Sequence, residues 1–85
     1  MTRSEEDIRA WLIQDVARRA QVPAESVKSG EDLSSYALDS SEFVELALEL
    51  ELWLEAEYDM ALLWDEHTID GIASAVCKAL NGVPV

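Results

Sequence analysis

The chain has one cysteine in 85 residues, so no internal disulfide can form and a reducing cytoplasm is the expected compartment. It lacks any apolar run approaching the roughly 20 residues that span a bilayer. Met1-Thr2-Arg3-Ser4-Glu5 contains no apolar signal core. Glycine (3) and proline (2) are scarce, whereas Ala, Leu and Glu abound, and straight-chain residues lose little rotamer freedom in a helix. Basic residues are the most telling shortage. There are six, and none lies between Ser29 and Cys77, where most of the carboxylates sit. The net charge of -12 excludes nucleic acid, whose phosphates must be met by Lys and Arg, and disfavours an anionic membrane surface. Such a middle should attract partners with a basic patch; the plainer alternative is an acidic surface that only aids solubility.

What is present is enough apolar material, 49% of residues, for one small core. We expect a single domain over 1–85, its core about 4–81 and its tail 82–85. Ser4-Glu5-Glu6-Asp7 reads as a helix start, a hydroxyl cap followed by acids facing the positive end of the dipole. Ile8, Leu12, Val16 and Ala20 follow at four-residue spacing, with Trp11 beside them, until Pro23 forbids continuation. From Pro23 to Leu38 runs a long connection with apolar anchors at Val27, Leu33 and Tyr36, expected to be pinned across the helices, with a turn of helix near Ala24–Val27. A second helix starts at Asp39 or Ser40, with Glu42 at capping-box spacing. Phe43, Leu46, Ala47, Leu50, Trp53 and Leu54 share its core side, while Ser40, Val44, Leu48, Glu51 and Glu55 lie on another, flanked by Ser41, Glu45 and Leu52. Residues 58–60 should form a turn and 61–65 a single helical turn. Thr68 caps a last helix with Ile69, Ile72, Ala73, Val76 and Leu80 on its apolar face, ended by Asn81-Gly82. No stretch alternates with period two, so the fold is all-α.

Few residues invite chemistry. His67 is the only histidine, and a Ser40–His67–Asp65 hydrolase remains an option by count alone, although a bundle this small leaves little room for a substrate pocket and an oxyanion hole. Asp65–Gly71 resembles a calcium loop only loosely, with its glycine one position late, so no metal site is expected. Cys77 and the three tryptophans read as core material, with Trp64 close to the bundle mouth. Ser40 stands out because a first-turn serine is exposed, and a phosphate on it would meet unpaired N–H groups and the positive helix end. A plain helix-start serine beside Ser41 would look the same.

Leu38-Asp39-Ser40, followed by Val44-Glu45-Leu46 and the acidic-aliphatic helix, resembles the attachment motif Gly-Leu-Asp-Ser-Leu of acyl carrier proteins. Tyr36 lies three residues before the Asp. The segment Leu62-Leu63-Trp64-Asp65-Glu66-His67-Thr68-Ile69 is similar to the Leu-(aromatic)-Asp-x-Pro-Thr-Ile of polyketide-synthase carriers. Peptidyl carriers usually show Gly-Gly-x-Ser in place of Ala37-Leu38-Asp39-Ser40. Three positions depart from the pattern: Ala37 for Gly, Ser41 for the Leu that often contacts partners, and His67 for Pro.

The resemblance implies a four-helix bundle of three long helices and one short one, monomeric and not an enzyme. It implies a covalent 4'-phosphopantetheine on Ser40, added by a phosphopantetheinyl transferase that uses coenzyme A and Mg²⁺, with Asp39 supporting the attachment site. Acyl or polyketide intermediates, as in fatty acid and polyketide biosynthesis, would then ride on the arm as thioesters. Ser41, Glu42, Val44, Glu45, Leu48 and Glu51 would meet the transferase, an acyl-loading enzyme (acyltransferase or acyl-activating ligase), a ketosynthase and other pathway enzymes. Starting at Met1 without long linkers, the chain resembles a free-standing carrier. The alternatives are a peptidyl or aryl carrier of a nonribosomal or hybrid pathway, or an unmodified helical interaction module.

Overall fold

A computed structural model describes residues 4–36, 38–58, 63 and 66–81. Helix α1 runs Glu5–Ala20 and begins with a reciprocal cap: Ser4 Oγ accepts the Asp7 N–H at 3.1 Å, and the Asp7 carboxylate accepts the Ser4 N–H at 3.3 Å. It stops where Gln21 turns left-handed (φ 59°), two residues before Pro23. Helix α2 runs Ser40–Leu54, capped by Asp39 and ended by Glu55 at φ 55°. Helix α3 runs Ile69–Asn81, where Thr68 Oγ1 accepts the Gly71 N–H at 3.0 Å. The Glu66 carboxylate lies over this first turn, 2.2 Å from where a Cβ on Gly71 would stand, and as the end of a flexible side chain it could swing aside for one.

The four-residue spacing in α1 and the mixed three- and four-residue spacing in α2 and α3 put their apolar residues on facing stripes. Ile8, Leu12 and Val16 meet Leu46, Ala47 and Leu50 from α2 and Ile69, Ile72, Ala73 and Val76 from α3, all essentially buried. Phe43, Trp53 and Leu54 pack at the edge of this core, and Trp11 stacks on Trp53 with ring centroids 5.6 Å apart. Ala20, assigned to the α1 stripe by spacing, is only half-buried because the helix ends there; Ala17 takes the inner place.

The connection from Pro23 to Leu38 is ordered by two short 3₁₀ turns, Ala24–Ser26 and Leu33–Tyr36. Val27 and Leu33 are buried, and the Tyr36 hydroxyl accepts the Lys28 N–H at 2.8 Å. The expected pinning is a backbone one. Leu33 N–H donates to the His67 carbonyl at 2.8 Å, Asp70 N–H donates to the Ser29 carbonyl at 3.0 Å, and Asp32 and Thr68 form an isolated antiparallel bridge. Among the described residues this bridge is the sole β contact. Of the helical turn expected at 61–65 only Leu63 is described, helical and fully buried; Trp64, the 59–60 turn, Ala37 and the tail lie outside the described residues.

Charge also holds the helices in register. Asp15, buried on α1, pairs with Arg18 and with Arg19 (2.8 Å), and both arginines reach Glu49 on α2 at 3.0 and 2.8 Å. Burial works against the Arg19 charge, yet the hydrogen bonds and attraction of Asp15 and Glu49 outweigh it and raise its pKa. Arg9 joins Glu5 on its own helix to Asp70 on α3 at 2.7 Å.

Leu50→Ala should lower the unfolding free energy by about 2–5 kcal/mol because its cavity opens in a closed core. Leu52→Ala, two residues on but 77% exposed, should change it by no more than about 0.5 kcal/mol in the same urea titration.

Candidate functional site

The start of α2 concentrates the exposed polar groups. Asp39 adopts an extended backbone, and its Oδ1 accepts the Glu42 N–H at 2.9 Å while its carbonyl accepts the Phe43 N–H at 3.0 Å. Of the four first-turn donors this leaves those of Ser40 and Ser41, which no described residue accepts. Both serines are exposed. Two N–H groups that no described residue accepts and the positive end of a fifteen-residue helix favour negative charge beside the Ser40 hydroxyl. Of the capping box anticipated for Asp39 and Glu42, the Asp39 half is present.

Ser40 opens onto a groove of about 190 Å³. Its walls are Leu33, Leu38, Phe43 and Leu63, and its rim carries Asp32, Ser34, Asp39 and His67. The tie between Leu33 and the His67 carbonyl closes its far side. Backbone and side-chain hydrogen bonds from Ser34 hold the Asp32 carboxyl below the usual carboxylate range, burial opposing weakly and the nearby His67 adding a smaller pull. Ser40 and His67 thus share one groove, but among the described residues no hydrogen bond joins them. Asp65 lies outside the described residues, so the third member considered for a hydrolase has no place to be judged.

The outer face of α2 carries the other expected residues. Val44 is 38% and Leu48 48% exposed, with Ser41 and Glu45 exposed beside them and Glu42 half-buried. The second apolar stripe therefore faces solvent and does not widen the core. Glu51 differs from its neighbours, because its Oε2 accepts the Tyr58 N–H at 3.1 Å. The Tyr58 hydroxyl donates to the Ala47 carbonyl at 2.8 Å, and burial, aided by the Glu51 charge, drives its pKa far upward, so it stays a donor. Glu51 hence anchors the chain leaving α2 as well as lining the surface.

Two sets of residues were missed in whole or in part by the sequence reading. Ala56 and Glu57, which it did not single out, join Leu48, Glu51, Leu52 and Glu55, which it placed on the outer side of α2, around an open cleft of about 800 Å³ past the end of the helix. The left-handed cap at Glu55, which turns the chain back, has no sequence signal because glutamate is not the usual residue there. Asp32 and Ser34 reach the groove only through the bridge to Thr68, a contact between residues thirty-six positions apart in the chain.

A family profile described as "Phosphopantetheine attachment site" matches residues 10–76. The chain belongs to the phosphopantetheine-carrier family. Carriers of this family bear covalent 4'-phosphopantetheine, are modified by phosphopantetheinyl transferases, deliver their cargo to pathway enzymes, and are themselves non-catalytic. The carrier also resembles a solved structure, a free-standing peptidyl carrier protein from an uncharacterized secondary metabolic pathway of Acinetobacter baumannii. The two are 27% identical over 91% of this chain and 96% of that one, with a TM-score of 0.79. No curated protein gives a significant match. The fold is accordingly the all-α carrier fold, with three helices and short 3₁₀ turns among the described residues. Among the described residues no helix is long and apolar enough to cross a membrane. The α2 start fits the family's group: an exposed hydroxyl to esterify, and two N–H groups beside it that no described residue accepts.

Removing the α2 cap isolates its contribution. Asp39→Ala should cost about 1 kcal/mol of stability and Asp39→Asn, which keeps an acceptor oxygen, only a few tenths, as read by urea unfolding of the unmodified carrier.

Proposed function

We propose that this carrier holds acyl intermediates, of the kind handled in polyketide or fatty acid biosynthesis, on 4'-phosphopantetheine attached at Ser40. The observation that carries the reading is the Ser40 hydroxyl, exposed on the first turn of α2 beside N–H donors that no described residue accepts and an apolar-walled groove. When bound, the group supplies a terminal thiol on which acyl units are held as thioesters. Ser40 Oγ provides the attachment oxygen. Asp39 keeps that turn formed through Glu42, and the Ser40 and Ser41 N–H groups, which no described residue accepts, would be available to the phosphate oxygens. Nothing in the structure explains why Ser41 stands where such carriers often have leucine.

Val44 and Leu48, bordered by Glu42, Glu45 and Glu51, form the surface that the transferase, an acyl-loading enzyme and a ketosynthase would recognise. A small apolar centre with an acidic rim suits brief contacts, since charge speeds encounter while a limited buried area permits release. The acyl assignment rests on Leu38-Asp39-Ser40, with its carboxylate at the cap position. A second reading, aminoacyl or peptidyl cargo, is favoured by the likeness to the peptidyl carrier. Loading assays with acyl-activating and amino-acid-activating enzymes distinguish the two.

Co-expression with a broad-specificity transferase should add one phosphopantetheine mass, mapped by fragmentation to Ser40, and Ser40→Ala should abolish it. An unchanged mass would leave an unmodified interaction module, and a map to Ser41 would move the site by one residue. Glu45→Lys, on an exposed side chain, should slow modification several-fold at low salt, with the difference shrinking as ionic strength rises. Equal rates at low salt would remove Glu45 from the docking surface.

A further inference from the structure

His67 is the sole side chain between Ser29 and Cys77 that can gain a positive charge, and it lines the same groove as Ser40. Its place is set by backbone. The His67 carbonyl accepts the Leu33 N–H at 2.8 Å, and the next residue, Thr68, is bridged to Asp32. The imidazole itself is exposed. The charged groups around it are all acidic: Asp32 and Asp39 in the groove, and Glu66 beside it over the first turn of α3. Asp70, further along that helix, is already paired with Arg9. Histidine is the side chain that ordinarily changes charge between about pH 5 and 8.

A phosphodiester on Ser40 would add one more negative charge at the rim of this groove. Unlike a serine phosphomonoester, which takes up a proton near pH 6, a diester has no proton to gain in that range. The Ser40 and Ser41 N–H groups, which no described residue accepts, belong to α2, whereas His67 lines the same groove from the segment that precedes α3. Resting on the reading of Ser40 as the attachment residue, we propose that His67 is a positioning residue for the root of the arm. As imidazolium it holds the phosphodiester against the groove, and as neutral imidazole it lets the arm swing out. The sign follows from the charge. The contact is present below the His67 midpoint and lost as pH rises through it, and attachment of the arm stabilises the protonated ring and moves that midpoint up.

The single histidine makes the test unambiguous, because one imidazole resonance belongs to one residue. Holo protein is prepared with a transferase and coenzyme A, and the arm is located by fragment mass. The His67 ring signals and the phosphodiester phosphorus signal are then followed by NMR from pH 5 to 8, alongside the ring signals of unmodified protein. We expect the His67 midpoint to rise on attachment, as an added negative charge in the same groove requires. The phosphorus signal should move with the same midpoint, and in His67→Gln it should stay flat, with an unchanged helical circular dichroism spectrum. A flat phosphorus signal in the wild type, with equal His67 midpoints with and without the arm, would overturn the proposal while leaving Ser40 as the site. An arm mapped to another residue would overturn both. The wild-type comparison decides the matter even if the variant does not fold.

Discussion

The end of the molecule that carries Ser40 depends on one backbone contact, the hydrogen bond from Leu33 N–H to the His67 carbonyl, with the Asp32–Thr68 bridge next to it. One of the segments it joins opens a single 3₁₀ turn, Leu33–Tyr36, and the other precedes α3. Neither has a helical ladder to satisfy its peptide groups, so each completes the other's hydrogen bonding in a place where water is partly excluded. The result is a fixed wall opposite the start of α2. Without it Leu33 would not be buried against Leu63, Asp32 and His67 would not share a rim, and Ser40 would project from a helix tip with no groove beside it.

The same molecule divides its charge by function. Three of the six basic residues, Arg9, Arg18 and Arg19, are engaged in holding α1 to α3 and α2. Their partners Asp15, Glu49 and Asp70 are drawn out of the acidic surplus, and Glu51 ties down Tyr58. What is left exposed on α2 and just past its end is therefore a smaller and more specific set than the count of carboxylates implies: Glu45 beside Val44 and Leu48, and then Glu55 and Glu57 beyond Leu52. A carrier must be recognised by several enzymes and released by each. On the docking role proposed for α2, an exposed acidic face whose carboxylates are not paired with the arginines of α1 would suit that need.

Much of the bundle was legible in the chain. Ser4 with Asp7, Asp39 before Ser40, and Thr68 before Ile69 named three helix starts correctly, because a side-chain cap is local and its residues lie within three positions of each other. The core stripe of α2 was equally plain, since Leu46, Ala47 and Leu50 obey helical spacing. The left-handed stops at Gln21 and Glu55 were not, as both residues tolerate that conformation only where the surrounding packing holds it. The role of Glu49 was hidden for a different reason: on α2 it is one glutamate among several, and only the arrival of Arg18 and Arg19 across the interface distinguishes it.

By itself, then, the sequence determined the all-α class, the positions of the caps, the exposed serine at a helix start and the absence of cations through the middle of the chain. Each of these follows from residues close together or from simple composition. Tertiary structure decided which carboxylates stay free, which apolar residues of α2 face solvent, and that Ser40 faces a groove shared with Asp32 and His67. Those outcomes depend on contacts between residues some thirty positions apart, and the free energy that selects them comes from burying Leu33, Leu63 and the helix stripes together. No local pattern encodes that choice.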